Sequence, residues 1–306
     1  TIGTHIDFTT PAVCIGNATV FTDNTSNPYN TTINGYTWTF GDGTTATQQN
    51  TTHTYAGVGT YTVQLKLDYG NNCADSLTKQ TTVNPDPVAD FTSTTACVGN
   101  ATQFTDASTP QGSITAWSWS FGDGSNSALQ NATHTYAAAG NFNAQLTVTN
   151  NNGCKDSIQK QVTVLGKGNA QFTAPGVCYP NTTNFTNTTD VYSHPVSSFV
   201  WSFGDGTGSS TLTNPSYTYS NAGTYSVTII ANFTNGCADT SVQNVEVYVI
   251  PTVSAVTSDV SCFGGTDGSI SLAPNAGQTP FTYSWSNQSV SANNTQLIAG
   301  NYNVTF

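Results

Sequence analysis

The chain has no arginine and no methionine, and of its sixteen acidic residues Glu246 is the one glutamate. Five lysines against those acids leave a net charge of −11 over 306 residues. A surface that grips phosphate needs a basic stripe, usually with arginine forks, so nucleic acid and anionic membrane are excluded as partners. No apolar stretch approaches the roughly 18 residues of a membrane-spanning helix, and no signal peptide is visible. There is no Gly-x-Ser-x-Gly, no His-Glu-x-x-His, no Cys-x-x-Cys and no phosphate loop. A single Glu removes paired-Glu glycosidase chemistry. Aspartate pairs survive this screen, but none stands out, and no catalytic residue is assigned. No stretch shows a helical period either. Because the sequence begins at Thr1, it reads as a processed form or a segment of something longer.

What is present is threonine, serine, asparagine and aromatics, a composition suited to strands and turns and poor in helix formers. Trp38-Thr39-Phe40-Gly41-Asp42-Gly43 returns as Trp119-Ser120-Phe121-Gly122-Asp123-Gly124 and as Trp201-Ser202-Phe203-Gly204-Asp205-Gly206, at periods of 81 and 82 residues. Each copy is a period-two strand that stops in a tight turn. Around it the same order recurs: an early Phe strand, a polar loop, the Trp strand, His-Thr-Tyr (Tyr217-Thr218-Tyr219 in the third copy), and Gly-x-Tyr/Phe opening a long alternating run. Turn signals every 8–12 residues predict about seven short strands per unit, hence an antiparallel β-sandwich. Three such units are expected over 1–85, 86–166 and 167–250, with 251–306 forming a fourth, incomplete one around Trp285. The junctions at Asn84–Pro87 and Leu165–Gly168 are short, the second richer in glycine and expected to bend more, so the units are expected end to end as a semi-rigid rod.

Seven cysteines fall twice per unit, early (Cys14, Cys97, Cys178) and late (Cys73, Cys154, Cys237), with Cys262 left over. Since the two positions repeat together, one disulfide within each unit is expected: Cys14 with Cys73, Cys97 with Cys154, and Cys178 with Cys237. Closing a loop of nearly 60 residues would add about 3–4 kcal/mol per unit. Disulfides also place the chain outside the cytoplasm. Cys262 reads as half of a bond whose partner lies beyond this segment.

The motif Trp-x-Phe-Gly-Asp-Gly, followed by His-x-Tyr and Gly-x-Tyr-x-Val, resembles the PKD domain, an immunoglobulin-like sandwich of cell surfaces and secreted enzymes. Residues 251–306 (Cys262-Phe263-Gly264-Gly265 through Ser269-Ile270, then Tyr283-Ser284-Trp285) resemble the SprB-type repeat. The combination is similar to the long surface adhesins of gliding and biofilm-forming Bacteroidota, exported by type IX secretion. The resemblance implies a non-catalytic extracellular stalk whose partners are other domains of the same chain and a surface polysaccharide or protein ligand. The alternative is a carbohydrate- or protein-binding accessory module of a secreted hydrolase.

Several residues need a reading of their own. Trp38, Trp119, Trp201 and Trp285 are expected in the cores rather than on a sugar platform. His53 and His134 are read as structural aromatics, because Tyr217 takes their place in the third unit and no serine, cysteine or acid is seen to accompany them at a fixed offset. Asp42, Asp123 and Asp205 are explained by turn chemistry. They are also the candidates for Ca²⁺, since some PKD domains bind calcium near this turn, and Asp267 is a further one. Asp75-Ser76-Leu77 and Asp156-Ser157-Ile158 resemble the acceptor sites for O-glycans of that bacterial group, which makes Ser76 and Ser157 candidates. Thirteen Asn-x-Ser/Thr sequons stand against about nine expected by chance, a weak excess. Ligand contact is expected from the loops Asn24–Asn34, Ser108–Thr115 and Thr189–Ser198.

Overall fold

The computed structural model describes residues 5–27, 31–191 and 194–306. Parts of the loops at Asn24–Asn34 and Thr189–Ser198 therefore lie outside the described residues. The chain divides into two compact units, Thr1–Leu165 and Gly166–Phe306. Among the described residues all regular structure is β except one 3₁₀ turn at Gln111–Ser113, and no helix is long and apolar enough to cross a membrane.

The first unit holds two sandwiches of one design. In the first, a five-stranded sheet runs Val13–Cys14, Cys73–Asn84, Gly59–Gly70, Gly35–Thr39, Thr45–Ala46. It faces the pair Thr19–Phe21 and Thr51–His53. In the second, the equivalent sheet is Ala96–Cys97, Lys155–Leu165, Gly140–Asn150, Ile114–Ser120, Asn126–Ser127, set against Phe91–Ser93, Ala101–Asp106 and Ala132–Thr135. In the second unit the large sheet recurs as Val177–Cys178, Ala238–Tyr248, Gly223–Phe233, Val196–Ser202, Ser209–Ser210. Residues beyond Pro251 add a sheet of Val253–Ser258, Gly268–Pro274 and Asn293–Leu297, and the pair Ser284–Trp285 with Val304–Thr305.

Two features depart from a set of short antiparallel strands. The last two strands of each sandwich are long, 12 residues each in the first, and form one hairpin. Its tip, Asn71-Asn72, has both residues at positive φ (51° and 63°), the left-handed pair that matches the twist of a two-residue hairpin. The short early strand is parallel to the far end of that hairpin, with Cys14 opposite Asn84, Cys97 opposite Leu165 and Cys178 opposite Tyr248.

The cores follow the aromatic alternation. Trp38, Trp119 and Trp201 are buried to 1% exposure or less, and Trp285 is also buried. Phe8 meets Trp38 edge-on at 5.1 Å, Phe91 meets Trp119 at 5.1 Å and Phe172 meets Trp201 at 5.2 Å, the T-shaped geometry that aromatic quadrupoles favour. Each indole N–H donates to a backbone carbonyl, of Gln48, Leu129, Leu212 and Ser291 respectively, so the buried ring carries no unpaired donor.

Candidate functional site

The Gly-Asp-Gly turn is held by its own donors. Gly41 has φ +83°, and a Cβ there would lie 2.6 Å from the Thr62 carbonyl oxygen of the long hairpin. Gly122 approaches the Asn143 carbonyl in the same way, and Gly204 approaches that of Ser226. Glycine is needed there for close backbone approach as well as for its dihedral. Gly43, Gly124 and Gly206 also have positive φ but open space around them.

Between the glycines, Asp42 Oδ1 accepts the Thr44 N–H at 3.0 Å and the Thr44 hydroxyl at 2.6 Å, while Oδ2 meets His53 Nε2 at 2.6 Å. Asp123 repeats this with Ser125 and, at 2.6 Å, His134. Asp205 uses Thr207, Gly208 and the Tyr217 hydroxyl. Burial pushes the Asp42 carboxyl up, but the Thr44 and His53 hydrogen bonds outweigh it and hold the group at about 2. The Tyr217 hydroxyl, with the Gly208 and Thr207 N–H groups, holds Asp205 at about 2 against a smaller effect of burial. The expectation that no acid accompanies the histidines is thus corrected: Asp42 and Asp123 each stand eleven residues before their histidine, an offset countable in the sequence. The imidazole lies flat on the neighbouring phenylalanine, His53 on Phe40 at 4.3 Å and His134 on Phe121 at 4.5 Å, and Tyr217 stacks on Phe203 likewise.

Thr44, His53 and Asp42 together look like a nucleophile, base and acid, but one ring nitrogen faces both partners: Nε2 lies 3.3 Å from Thr44 Oγ1 and 2.6 Å from Asp42 Oδ2. A proton relay needs the acid and the nucleophile on opposite ring nitrogens, so the trio is a turn lock. Both carboxylate oxygens are already taken by donors of the protein, whereas Ca²⁺ collects six to eight oxygens. Asp267 accepts the Ser261 N–H at 3.0 Å within its own loop. Among the described residues, the group of three metal-ligating side chains is Cys14, Asp86 and Cys154, and its two sulfurs are bonded to each other.

That bond overturns the expected pairing. Cys14 is joined to Cys154, with Cα atoms 5.6 Å apart, and Cys73 and Cys178 are exposed free thiols, as is Cys262. Cys97 and Cys237, the equivalents of Cys14 and Cys154 one repeat on, are also disulfide-bonded. The reason lies in the long hairpin. Cys73 starts the strand Cys73–Asn84 and Cys14 sits opposite its last residue. Eleven steps at ~3.3 Å separate the two cysteines by about 36 Å, whereas a disulfide tolerates less than ~7 Å between Cα atoms. Cys154 likewise precedes Lys155–Leu165, whose last residue faces Cys97. An early cysteine therefore marks the C-terminal end of its sandwich and a late one the N-terminal end, and Cys14 meets Cys154 where the first sandwich abuts the second.

Other contacts fasten the same junction. Asn150 Nδ2 donates to the Pro85 carbonyl at 3.0 Å, and Asp156 Oδ2 accepts the Ala89 N–H at 2.8 Å. In the second unit Asn235 holds the Gly166 carbonyl at 2.7 Å, and Asp239 holds both Lys167 and the Ala170 N–H. Within the second unit Gly166 is closely packed, since a Cβ there would lie 2.6 Å from His194 Nε2. Asp156 and Asp239 of the Asp-Ser/Thr motifs are thus anchors, whereas Asp75 accepts the N–H of its own neighbour Ser76 at 2.7 Å. Ser76 and Ser157 are exposed on strands Cys73–Asn84 and Lys155–Leu165.

Compared with known proteins, the chain matches the PKD domain at residues 5–84, 84–165 and 170–249, and the SprB repeat at residues 254–290. It is similar to collagenase ColA of Clostridium perfringens, 39% identical over 61 residues. It is also similar to collagenase ColA of Bacillus cereus, 44% identical over 52 residues. These matches cover 20% and 17% of this chain and 6% and 5% of the collagenases, so the chain spans a small part of the curated relatives' length. Among solved structures it is similar to the PKD1 domain of the Vibrio cholerae metalloprotease PrtV, at 30% identity over 26% of this chain and 96% of that domain, with a TM-score of 0.25.

Proposed function

We infer a role from one premise: the chain belongs to the PKD domain family, with three tandem copies and a SprB repeat behind them. We propose that it is a non-catalytic extracellular spacer, a stretch of the stalk of a large surface adhesin of the gliding or biofilm type. Each of the segments 1–85, 86–166 and 167–250 serves as one sandwich of the stalk, and 251–306 begins a fourth.

The observation that carries this reading is the Cys14–Cys154 bond. A bridge within a sandwich stabilises that sandwich alone. A bridge between the C-terminal end of one and the N-terminal end of the next makes tension bypass the Asn84–Pro87 linker, the first long hairpin and the first strand of the second, Gly140–Asn150. That suits a filament under pull, and disulfides of this kind persist in oxidising surroundings. The saturated turn carboxylates supply no reactive group, and the scarcity of lysine with no arginine leaves few tryptic sites.

The matches to the collagenases support a second reading, in which these sandwiches are binding accessories of a secreted hydrolase. Pull-down of the chain with insoluble polysaccharides and with collagen, alongside a glycan array, separates the two. A spacer stays in the supernatant throughout. Saturable binding that is lost on changing the Ser108–Thr115 loop would install the accessory reading in its place.

A further inference from the structure

The two free thiols at sandwich ends are of opposite kinds. Cys73 directly follows a long hairpin's tip and opens its sandwich's last long strand, as Cys154 immediately precedes the strand Lys155–Leu165. Cys178 sits parallel to the last residue of Ala238–Tyr248, as Cys14 sits opposite Asn84. Cys14 and Cys154, one of each kind, are bonded; Cys73 and Cys178, again one of each kind, are both exposed and free. We propose that Cys178 of one copy of this chain and Cys73 of a second copy form a disulfide that reproduces the Cys14–Cys154 bridge between molecules.

The contact is heterologous, since different ends meet, and each copy joined keeps one thiol of each kind at the two ends of the growing assembly. Such a contact is not a two-fold one: repeated, it builds a ring where its rotation closes and an open filament where it does not. The oxidant is a small-molecule disulfide such as oxidised glutathione. The Cys178 thiolate attacks one glutathione sulfur and releases one glutathione. Cys73 of the second copy then attacks the Cys178 sulfur of the mixed disulfide and expels the other. One protein S–S bond forms, the glutathione disulfide is reduced, and the two thiol protons end on the two glutathiones released. Exposure of both sulfurs gives the exchange its access. Cys262 lies in the Ser261–Gly265 turn of the last segment, next to neither a long hairpin's tip nor a parallel edge strand, and serves as the internal control.

The full chain, C73S, C178S and C262S are each equilibrated at about 100 µM in a glutathione redox buffer, then resolved on non-reducing gels and mapped by chymotryptic peptides. The wild-type chain and C262S are expected to give a ladder of dimers, trimers and higher species joined by Cys73–Cys178 peptides. C73S and C178S alone are expected to stay monomeric, and their equimolar mixture to stop at the dimer, because one supplies Cys178 and the other Cys73. Symmetric Cys73–Cys73 or Cys178–Cys178 links, links through Cys262, a Cys73–Cys178 bond within one chain, or monomers carrying glutathione at both thiols would each overturn the proposal. Both serine variants replace exposed sulfurs, so their folding is checked simply by an unchanged thermal transition. A chain that stays monomeric would leave the spacer role intact and remove this bridge alone.

Discussion

The Cys14–Cys154 bond has a mechanical consequence whose size follows from the chain. On the entropy of loop closure, enclosing 140 residues rather than the 59 between Cys14 and Cys73 changes stabilisation by about 0.8 kcal/mol. A melting curve cannot separate the two pairings on that difference. Extension can. With the bond closed, the residues between Cys14 and Cys154 carry no tension, and at ~3.6 Å per extended residue they hide about 500 Å of contour. In-unit pairing of Cys14 with Cys73 would hide about 210 Å by the same rule. The assay is single-molecule extension of the full chain held by its termini, in a variant with Cys97 and Cys237 changed to serine so that one bridge remains. Reductant should lengthen the fully extended chain by about 500 Å, and before reduction neither of the first two sandwiches should give a complete unfolding step. A gain near 210 Å, or none, would refute the reasoning.

Three further outcomes follow from the site. Gly122→Ala places a Cβ against the Asn143 carbonyl at positive φ and should cost about 2–4 kcal/mol in chemical denaturation, whereas Gly124→Ala, with open space, should cost about 1 kcal/mol. Because the Asp42 carboxyl is held at about 2 in the folded chain, its contribution is fully present above its unfolded value near 4 and is lost as pH falls from there towards 2. Asp42→Asn should therefore destabilise the first sandwich by about 1–2 kcal/mol at pH 7 and flatten the acid limb of its stability curve over that window. Asp156→Ala removes the acceptor of the Ala89 N–H at the junction, and amide exchange at Ala89 should quicken by about tenfold while exchange in the strand Gly140–Asn150 stays unchanged.

Much of the architecture was legible because it obeys local rules. Period-two aromatics put Trp38, Trp119, Trp201 and Trp285 in cores, and Gly-Asp-Gly announced a turn whose aspartate bonds its own backbone. The cysteine pairing was misread because equal positions in each repeat are silent about which end of a sandwich they occupy. Half of the signal was present: Cys73 precedes a strand that reaches at least Val83, already too long for a bridge to span. The other half, the parallel contact of Val13–Cys14 with Val83–Asn84, is a long-range edge pairing with no turn to advertise it. The His53–Asp42 contact was missed for a simpler reason. The constant offset of eleven residues could be counted, but the turn and the next strand had to be folded before the spacing meant a contact. Asn150 and Asp156 gave no signal, since holding Pro85 and Ala89 depends on how one sandwich meets the end of another.

The most direct test of an extracellular, disulfide-linked spacer is the redox state of the chain in its own cells. Intact cells are treated with an alkylating reagent, lysed without reductant, and the chain is digested and mapped. The account predicts one peptide pair joining Cys14 to Cys154, with neither sulfur alkylated. Recovery of all seven cysteines as alkylated thiols, or of Cys14 joined to Cys73, would contradict it.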